Sequence, residues 1–339
     1  MPEPDMPSPD MPSEIEGSSS DRGRKAPKTW LITGGCGFIG SHLADALVSR
    51  GDGVRILDDL SSGKTENAPS SAQLVLGDVT VPATVDAAMD GIDGCFHLAA
   101  IASVVRCNEN WIEAHRVNIG GLVNVLSAAR RRATPVVYAS SAAVYGANPA
   151  LPLAEGAKTD PLSPYAADKL SCELQAKVAA SLFGVPSVGL RFFNVYGPRQ
   201  DRASPYAGVI TIFVERILRG EPVVIHGDGK QSRDFIHVAD VVRALLATMQ
   251  IADLSAGVFN VCTGRATSLL ELLAVLKMVT GNRVDLAWEA ARSGDIKESL
   301  GDPSLLRQRT GMIPSVALEA GLADLVSTLR ATKGPRAGF

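Results

Sequence analysis

Cysteine is scarce and scattered in this chain of 339 residues. Five are present, Cys36, Cys95, Cys107, Cys172 and Cys262, odd in number and without a C-x-x-C pair. That spacing supports neither a disulfide framework nor a zinc site, and it fits a protein kept in the reducing cytoplasm. An excess of one charge is also lacking: 33 basic against 36 acidic side chains give a formal net charge of −3. With no cationic surplus to neutralise phosphates, nucleic acid is not an expected partner. No stretch approaches the roughly 18 uninterrupted apolar residues of a membrane span. The first 20 residues contain no basic residue at all, so no basic segment leads into an apolar run; neither secretion nor membrane insertion is expected. The five histidines, His42, His97, His115, His226 and His237, show no metal-ligand spacing, and no metal is expected.

What is present is ordinary globular composition, 46% hydrophobic and 20% charged, in a chain long enough for about two domains. Residues 1–28 read as a disordered tail, its first 20 residues holding five prolines, five serines and five acids, too little apolar surface to offset chain entropy. From Thr29 short apolar runs alternate with helical stretches: TWLIT, SHLADALVSRG, VRIL, LVLGD, a helix near 82–89, then CFHLAA. Runs of Leu, Ile and Val without polar alternation suit strands covered on both faces, so the expected fold class is α/β, a Rossmann-like doubly wound parallel sheet. Further strands are expected at PVVYAS and SVGLRFF, with long helices at 109–131 and 164–183. Residues 29–195 read as the Rossmann-like domain, interleaved with later segments. Residues 196–330 read mainly as a smaller C-terminal α/β substrate lobe, and 331–339 as a second tail. Helices are expected there at 209–219, 238–249 and 269–279.

The strand TWLIT runs into Gly34-Gly35-Cys36-Gly37-Phe38-Ile39-Gly40 and then into a helix, the order that dinucleotide binding requires. Gly35 is expected to make the tight turn, Gly37 to admit the pyrophosphate and Gly40 to let helix and strand pack closely, with the helix N-terminus facing the phosphate charge. Eighteen residues beyond Gly40, Asp58 ends the next strand, placed to bond a ribose 2′-hydroxyl. A 2′-phosphate there meets carboxylate repulsion that Ser61, Ser62, Gly63 and Lys64 offset only modestly, so NAD is favoured over NADP. Asp78, at the end of LVLGD, is placed for an adenine contact. Downstream, Tyr165 and Lys169 are four apart at the start of a helix, on one face. A neighbouring ammonium and an oxidised dinucleotide favour loss of the phenol proton, which makes Tyr165 a candidate general base. Ser141, in the hydroxyl-rich stretch after VVYA, is placed to bridge a sugar hydroxyl and Tyr165.

Taken together, TGGCGFIGSHLADAL, LDDLSSGK, GDVT, FHLAA, VNIGG, YASSAAVYG, SPYAADK, RFFNVYGPRQD, HGDGKQSRDFIHVADV and RSGDIKESLGD resemble the extended short-chain dehydrogenase/reductases of the nucleotide-sugar 4-epimerase branch, over about 29–329. The resemblance implies that Ser141, Tyr165 and Lys169 are catalytic, with Lys169 also on the nicotinamide ribose. It implies cofactor contacts at Gly34, Gly37, Phe38, Ile39, Asp58, Asp78, Val79, Leu98, Ala99, Ala100 and Asn118, and substrate contacts at Ser103, Asn194, Arg233, Arg292 and Asp295. The two arginines also stand on their own chemistry, since a nucleoside diphosphate needs cationic, fork-shaped donors.

Related dehydratases carry an Asp-Glu pair just after the catalytic hydroxyl and related decarboxylases a Glu, whereas this chain has Ala142 and Ala143. With no second acid or base, a 4-keto sugar has few exits except to rotate and take its hydride back on the other face, which is 4-epimerisation with NAD regenerated in each turnover. Family members that reject the N-acetyl group have a bulky residue where Ser299 stands; by that resemblance the small Ser299 leaves room for an N-acetyl group and does not demand one, so UDP-glucose and UDP-N-acetylglucosamine both stay open. UDP-glucuronate is the alternative: Arg199 and Arg202 are expected on the sugar side, and Arg202 could hold its carboxylate, although the glucuronate epimerases have Thr where Asn194 stands. A net dehydratase or reductase is the further alternative. By the same resemblance the helices at 109–131 and 164–183 form a homodimer contact; the stripe Leu170, Leu174, Val178 would serve an internal core equally well.

Overall fold

The computed structural model describes Met1 and residues 27–201, 208–291 and 296–331. Nearly all of both expected tails, and the candidates Arg202, Arg292 and Asp295, lie outside them. The first half of the chain reads β1 (Thr29–Thr33), α1 (Phe38–Ser49), β2 (Gly53–Asp58), β3 (Gln73–Leu76), α2 (Pro82–Ala88), β4 (Gly94–His97), α3 (Val104–Glu109), α4 (Trp111–His115), α5 (Gly121–Ala129), β5 (Val136–Ser141), α6 (Pro164–Phe183) and β6 (Ser187–Phe192). There follow β7 (Asn194–Tyr196), α7 (Val209–Arg219), β8 (Val223–His226), β9 (Ser232–His237), α8 (Val238–Met249), β10 (Gly257–Val261), β11 (Ala266–Ser268), α9 (Leu269–Thr280), β12 (Leu286–Glu289), α10 (Ser304–Thr310) and α11 (Leu318–Ala331).

Seven strands form one sheet in the order β10-β6-β5-β4-β1-β2-β3, every neighbouring pair parallel. The apolar runs explain why both faces are covered. Within β1, Trp30 and Ile32 join the layer under α1 and α8, while Leu31 joins the layer under α2, α5 and α6. The chain winds outward from β1 to β3, then crosses back to lay β4 on the other side of β1. The crevice this reversal opens, at the carboxyl ends of β1 and β4, is where such sheets bind ligands, and Thr33 and His97 face each other there in register. A three-stranded sheet β11-β9-β7 and the pair β12-β8, with α7, α9 and α11, surround a separate apolar cluster.

The single helix expected at 109–131 is broken. Asn110 ends α3 and caps α4, its side chain accepting the Glu113 N–H at 3.4 Å, a residue type that favours helix starts over helix interiors. Residues Arg116–Gly120 then run as a π-helical turn before α5, and that extra width turns Asn118 inward to 1% exposure. Helix α6 keeps its expected bounds because both ends are coded locally. The Ser163 hydroxyl accepts the Ala166 N–H ahead of Pro164, and Gly184 closes the helix in the left-handed region at φ +67°.

Candidate active site

Between β1 and α1 the glycine loop folds under the crevice. Gly34, not Gly35, takes the left-handed conformation, at φ +70°. A Cβ on Gly34 would lie 2.8 Å from the Ala99 nitrogen, so any side chain here would push the loop after β4 away. Gly35 instead packs on Ile56, and a Cβ on Gly40 would meet the Gly34 carbonyl oxygen at 2.2 Å. At Gly37 a Cβ would meet only that same oxygen, at 3.2 Å. The side of Gly37 away from it is therefore clear, and the first N–H groups of α1 have no intrahelical acceptor. A pyrophosphate fits this space and these donors.

The loops after β2, β3 and β4 complete the crevice. Asp58 is 6% exposed, its carboxylate accepting the Cys36 N–H and the Leu60 N–H, both at 2.9 Å. Burial pushes its pKa up, against those two bonds. Ser61 hydrogen-bonds Asp59, Ser62 is exposed, and Gly63 packs against Asp58 and Cys36. Asp78 accepts the Thr80 N–H at 2.8 Å and lies 3.5 Å from Arg116. Burial alone would raise its pKa; Thr80 and Arg116 together lower it. Buried Val79 abuts Gly121. Leu98 and Ala99 are pinned on β1, donating to the Thr33 carbonyl at 3.0 Å and the Thr33 hydroxyl at 3.3 Å, with Ala100 next in line. Asn118 accepts the Ile101 N–H at 2.8 Å and donates to Asp168 at 3.3 Å, tying this loop to α6.

The three residues expected to do chemistry gather at the carboxyl end of β5. Ser141 is the last residue of that strand, its Oγ accepting the Ala143 N–H at 3.2 Å. Tyr165 and Lys169 rise from the first turns of α6, with the Lys169 Nζ 5.8 Å from the Tyr165 ring centroid. Lys169 is 4% exposed and donates to the Ala139 carbonyl at 2.9 Å, two residues before Ser141. Beneath them His97 is bonded to the Thr33 hydroxyl at 2.8 Å, and burial, with help from the Lys169 charge, lowers its pKa to about 3. It is a neutral imidazole at any ordinary pH.

Of the sugar-side candidates, Asn194 opens β7 and is exposed, and β7 pairs with β9, which carries Arg233. The half-buried Ser299 lies beside Arg233, its N–H donating to the Ser232 carbonyl at 3.1 Å. Ser103 caps α3, accepting the Arg106 N–H at 3.2 Å. The Arg199 guanidinium reaches Asp45 at 2.7 Å, two turns into α1.

Three further residues, Asp234 and Arg191 within the quoted motifs and Glu173 just after one, also hold the site. Asp234, fully buried, accepts N–H bonds from Thr263, Gly264 and Gly301 at 2.8–3.4 Å, fastening the loops next to Arg233 and Ser299. Glu173 and Arg191 pair behind Ser141 at 2.7 Å. A charged residue in an otherwise apolar strand or helix face is the signal that could have found each.

Fold and geometry define a class, a nicotinamide-dinucleotide enzyme built on a parallel sheet. The family follows from sequence: residues 30–262 match the model of the NAD dependent epimerase/dehydratase family, and the chain belongs to that family. A UDP-glucose 4-epimerase of Mycolicibacterium smegmatis is 38% identical over 308 residues, covering 88% of this chain and 98% of that one. Among solved structures, a UDP-glucose 4-epimerase from Thermotoga maritima with UDP-glucose superposes with a TM-score of 0.86 at 37% identity. A UDP-N-acetylglucosamine 4-epimerase from Methanobrevibacter ruminantium, in complex with UDP-N-acetylmuramic acid, does so with a TM-score of 0.86 at 38% identity. Each of the two covers 90% of this chain and 99% of its own.

Proposed function

We propose that this chain is an NAD-dependent 4-epimerase of a UDP-hexose, UDP-glucose or UDP-N-acetylglucosamine. One observation carries the reading: the turn that follows Ser141 presents Ala142 and Ala143, two methyl groups, where a dehydratase or decarboxylase needs a further acid or base. When bound, NAD would supply the hydride acceptor and donor chemistry at the sugar carbon. Tyr165 accepts the proton of the C4 hydroxyl and later gives it back, Ser141 bridges the two oxygens, and Lys169 holds positive charge beside the phenol. Gly34, Gly37, Phe38 and Ile39 would take the pyrophosphate of NAD, Asp58 with Ser61, Ser62 and Gly63 the adenosine ribose, and Asp78 and Val79 the adenine. Leu98, Ala99, Ala100 and Asn118 would line its far side. Ser103, Asn194, Arg202, Arg233, Arg292, Asp295 and Ser299 are assigned to the UDP-sugar, Arg233 and Arg292 to its diphosphate and Arg202 to its sugar side.

Incubation with UDP-glucose, UDP-N-acetylglucosamine and UDP-glucuronate in parallel, read by anion exchange and the proton coupling at C4, tests this. Conversion of either neutral sugar to its C4 epimer without NADH release supports it. Conversion of UDP-glucuronate alone would move the assignment to the acidic sugar, and a 4-keto-6-deoxy product or stoichiometric NADH would refute epimerisation.

A homodimer belongs to the same proposal. Along α6, Leu170 packs inward on the cluster around Tyr145, whereas Leu174 and Val178 are 60% and 45% exposed, and Trp111 and Ile112 of α4 are 62% and 86% exposed. Apolar area of that kind on neighbouring helices suits a second copy. Leu174→Glu with Val178→Glu should halve the mass measured by light scattering; an unchanged mass would count against this interface. The five thiols, all free and buried, fit the cytoplasm as the site of action.

A further inference from the structure

Behind Ser141 lies a buried ionic cluster that the chemistry just described does not use. Arg191 of β6 donates to both carboxylate oxygens of Glu173, Nε to Oε1 at 2.9 Å and Nη2 to Oε2 at 2.7 Å, and both side chains are 7% exposed. A buried ion pair adds little net stability over apolar packing, because two desolvation costs offset the attraction. Its directional bonds, however, fix whatever they reach.

They reach both sides of Ser141. On the near side, the Ser140 hydroxyl donates to Glu173 Oε1 at 2.5 Å. Glu173 continues the row of Tyr165 and Lys169 along α6, four residues per step, so consecutive turns of one helix grip consecutive residues of one strand: Lys169 at the Ala139 carbonyl, Glu173 at the Ser140 hydroxyl. On the far side, the turn that follows Ser141 ends in Tyr145, whose hydroxyl accepts from Arg191 Nη1 at 2.8 Å and donates to Asn260 Oδ1 at 2.7 Å. Arg191 also donates to the Glu155 carbonyl at 3.0 Å. Ser140 and Arg191 are register partners across β5 and β6. The segment 140–145 is thus held at both ends by one guanidinium–carboxylate pair, and the same carboxylate rides on the helix that carries the phenol.

We infer that Glu173 and Arg191, acting through Ser140 and Tyr145, are positioning residues that set the Ser141 hydroxyl against the Tyr165 phenol. The inference rests on the epimerase reading. Misplacing a reacting group by about 1 Å can cost on the order of 10²-fold in rate, so loosening one end of the clamp should lower kcat without altering the binding surfaces.

The test is a cycle in the full chain with bound NAD: Ser140→Ala, Ser141→Ala and the double variant. Ser140→Ala should lower kcat about tenfold while KM, NAD content and melting temperature stay near those of the parent. In the Ser141→Ala background the same change should cost nothing, because the hydroxyl that Ser140 positions is gone. Tyr145→Phe, which frees the other end, should repeat the kcat-only loss and stands in if Ser140→Ala does not fold. Undiminished kcat in Ser140→Ala, or a loss that multiplies that of Ser141→Ala, overturns the inference while leaving an active parent enzyme an epimerase. An inactive parent on all three UDP-sugars overturns the epimerase reading itself.

Discussion

The two walls of the crevice are built differently. On the sheet side Lys169, Asp168, Asn118 and Asp58 are 4%, 2%, 1% and 6% exposed, and each polar head is already bonded to protein. On the sugar side Asn194 is exposed and Arg233 and Ser299 are half-buried, on short strands and loops of the smaller sheets. Groups that are buried and bonded cannot reorganise cheaply, which is what transition-state stabilisation needs. Groups at a partly open wall can be exchanged at small cost to the fold, which is what a choice among sugars needs. The difference teaches where to look for each property: reaction type in the floor, substrate range in the wall.

The largest effect expected from this contrast is at Tyr165. Removing the phenol oxygen in Tyr165→Phe should lower kcat about 10³-fold, within the usual span for a positioned acid–base group, while bound NAD and KM for the UDP-sugar stay in place. Steady-state rates and the absorbance of the protein-bound dinucleotide check this. Activity within tenfold of the parent would show that the floor does not hold the base. A smaller effect is expected at the wall. Ser299→Tyr should lower turnover of UDP-N-acetylglucosamine at least about tenfold through lost volume, the scale on which pocket shape discriminates, and leave UDP-glucose turnover nearly intact. Equal losses on both sugars would remove Ser299 from substrate choice.

Much of the floor could be read in the sequence because it is coded by local pattern. Unbroken apolar runs gave the strands, and Ser163-Pro164 with Gly184 bounded α6. Tyr165 and Lys169 shared a helical face from spacing alone. What escaped depends on contacts between distant segments. That Gly34 and not Gly35 is the left-handed residue follows from the approach of Ala99, 65 positions away. The Glu173–Arg191 pair joins a helix to a strand 18 residues later, so a charge on an apolar face could flag each residue but not their pairing. The break at Asn110 was legible in principle, as a cap residue inside a supposed helix. So was α11, where Leu322, Leu325, Val326 and Leu329 are buried at helical spacing. The wall was least legible, since its residues come from several short elements whose association only the tertiary fold decides.

The smallest expected effect tests how closed the floor is. His97 lies between Thr33 and the Lys169 charge, neutral in the folded protein down to about pH 3, whereas an unfolded histidine takes its proton near pH 6.5. Between those values the unfolded chain binds more protons than the native one, so stability must fall as pH falls, approaching about 1.4 kcal/mol per pH unit for one group. Asp58, Asp234 and Glu155, whose pKa values burial raises, act in the opposite sense. Their contribution is common to the parent and to a His97→Gln variant, so the difference between the two proteins isolates the imidazole. From pH 7 to pH 5 the parent should lose about 2 kcal/mol more unfolding free energy than His97→Gln, read from urea titrations at each pH. Parallel losses in the two proteins would mean that His97 gains its proton in the native state, and the sheet-side wall would then be as open to water as the sugar side.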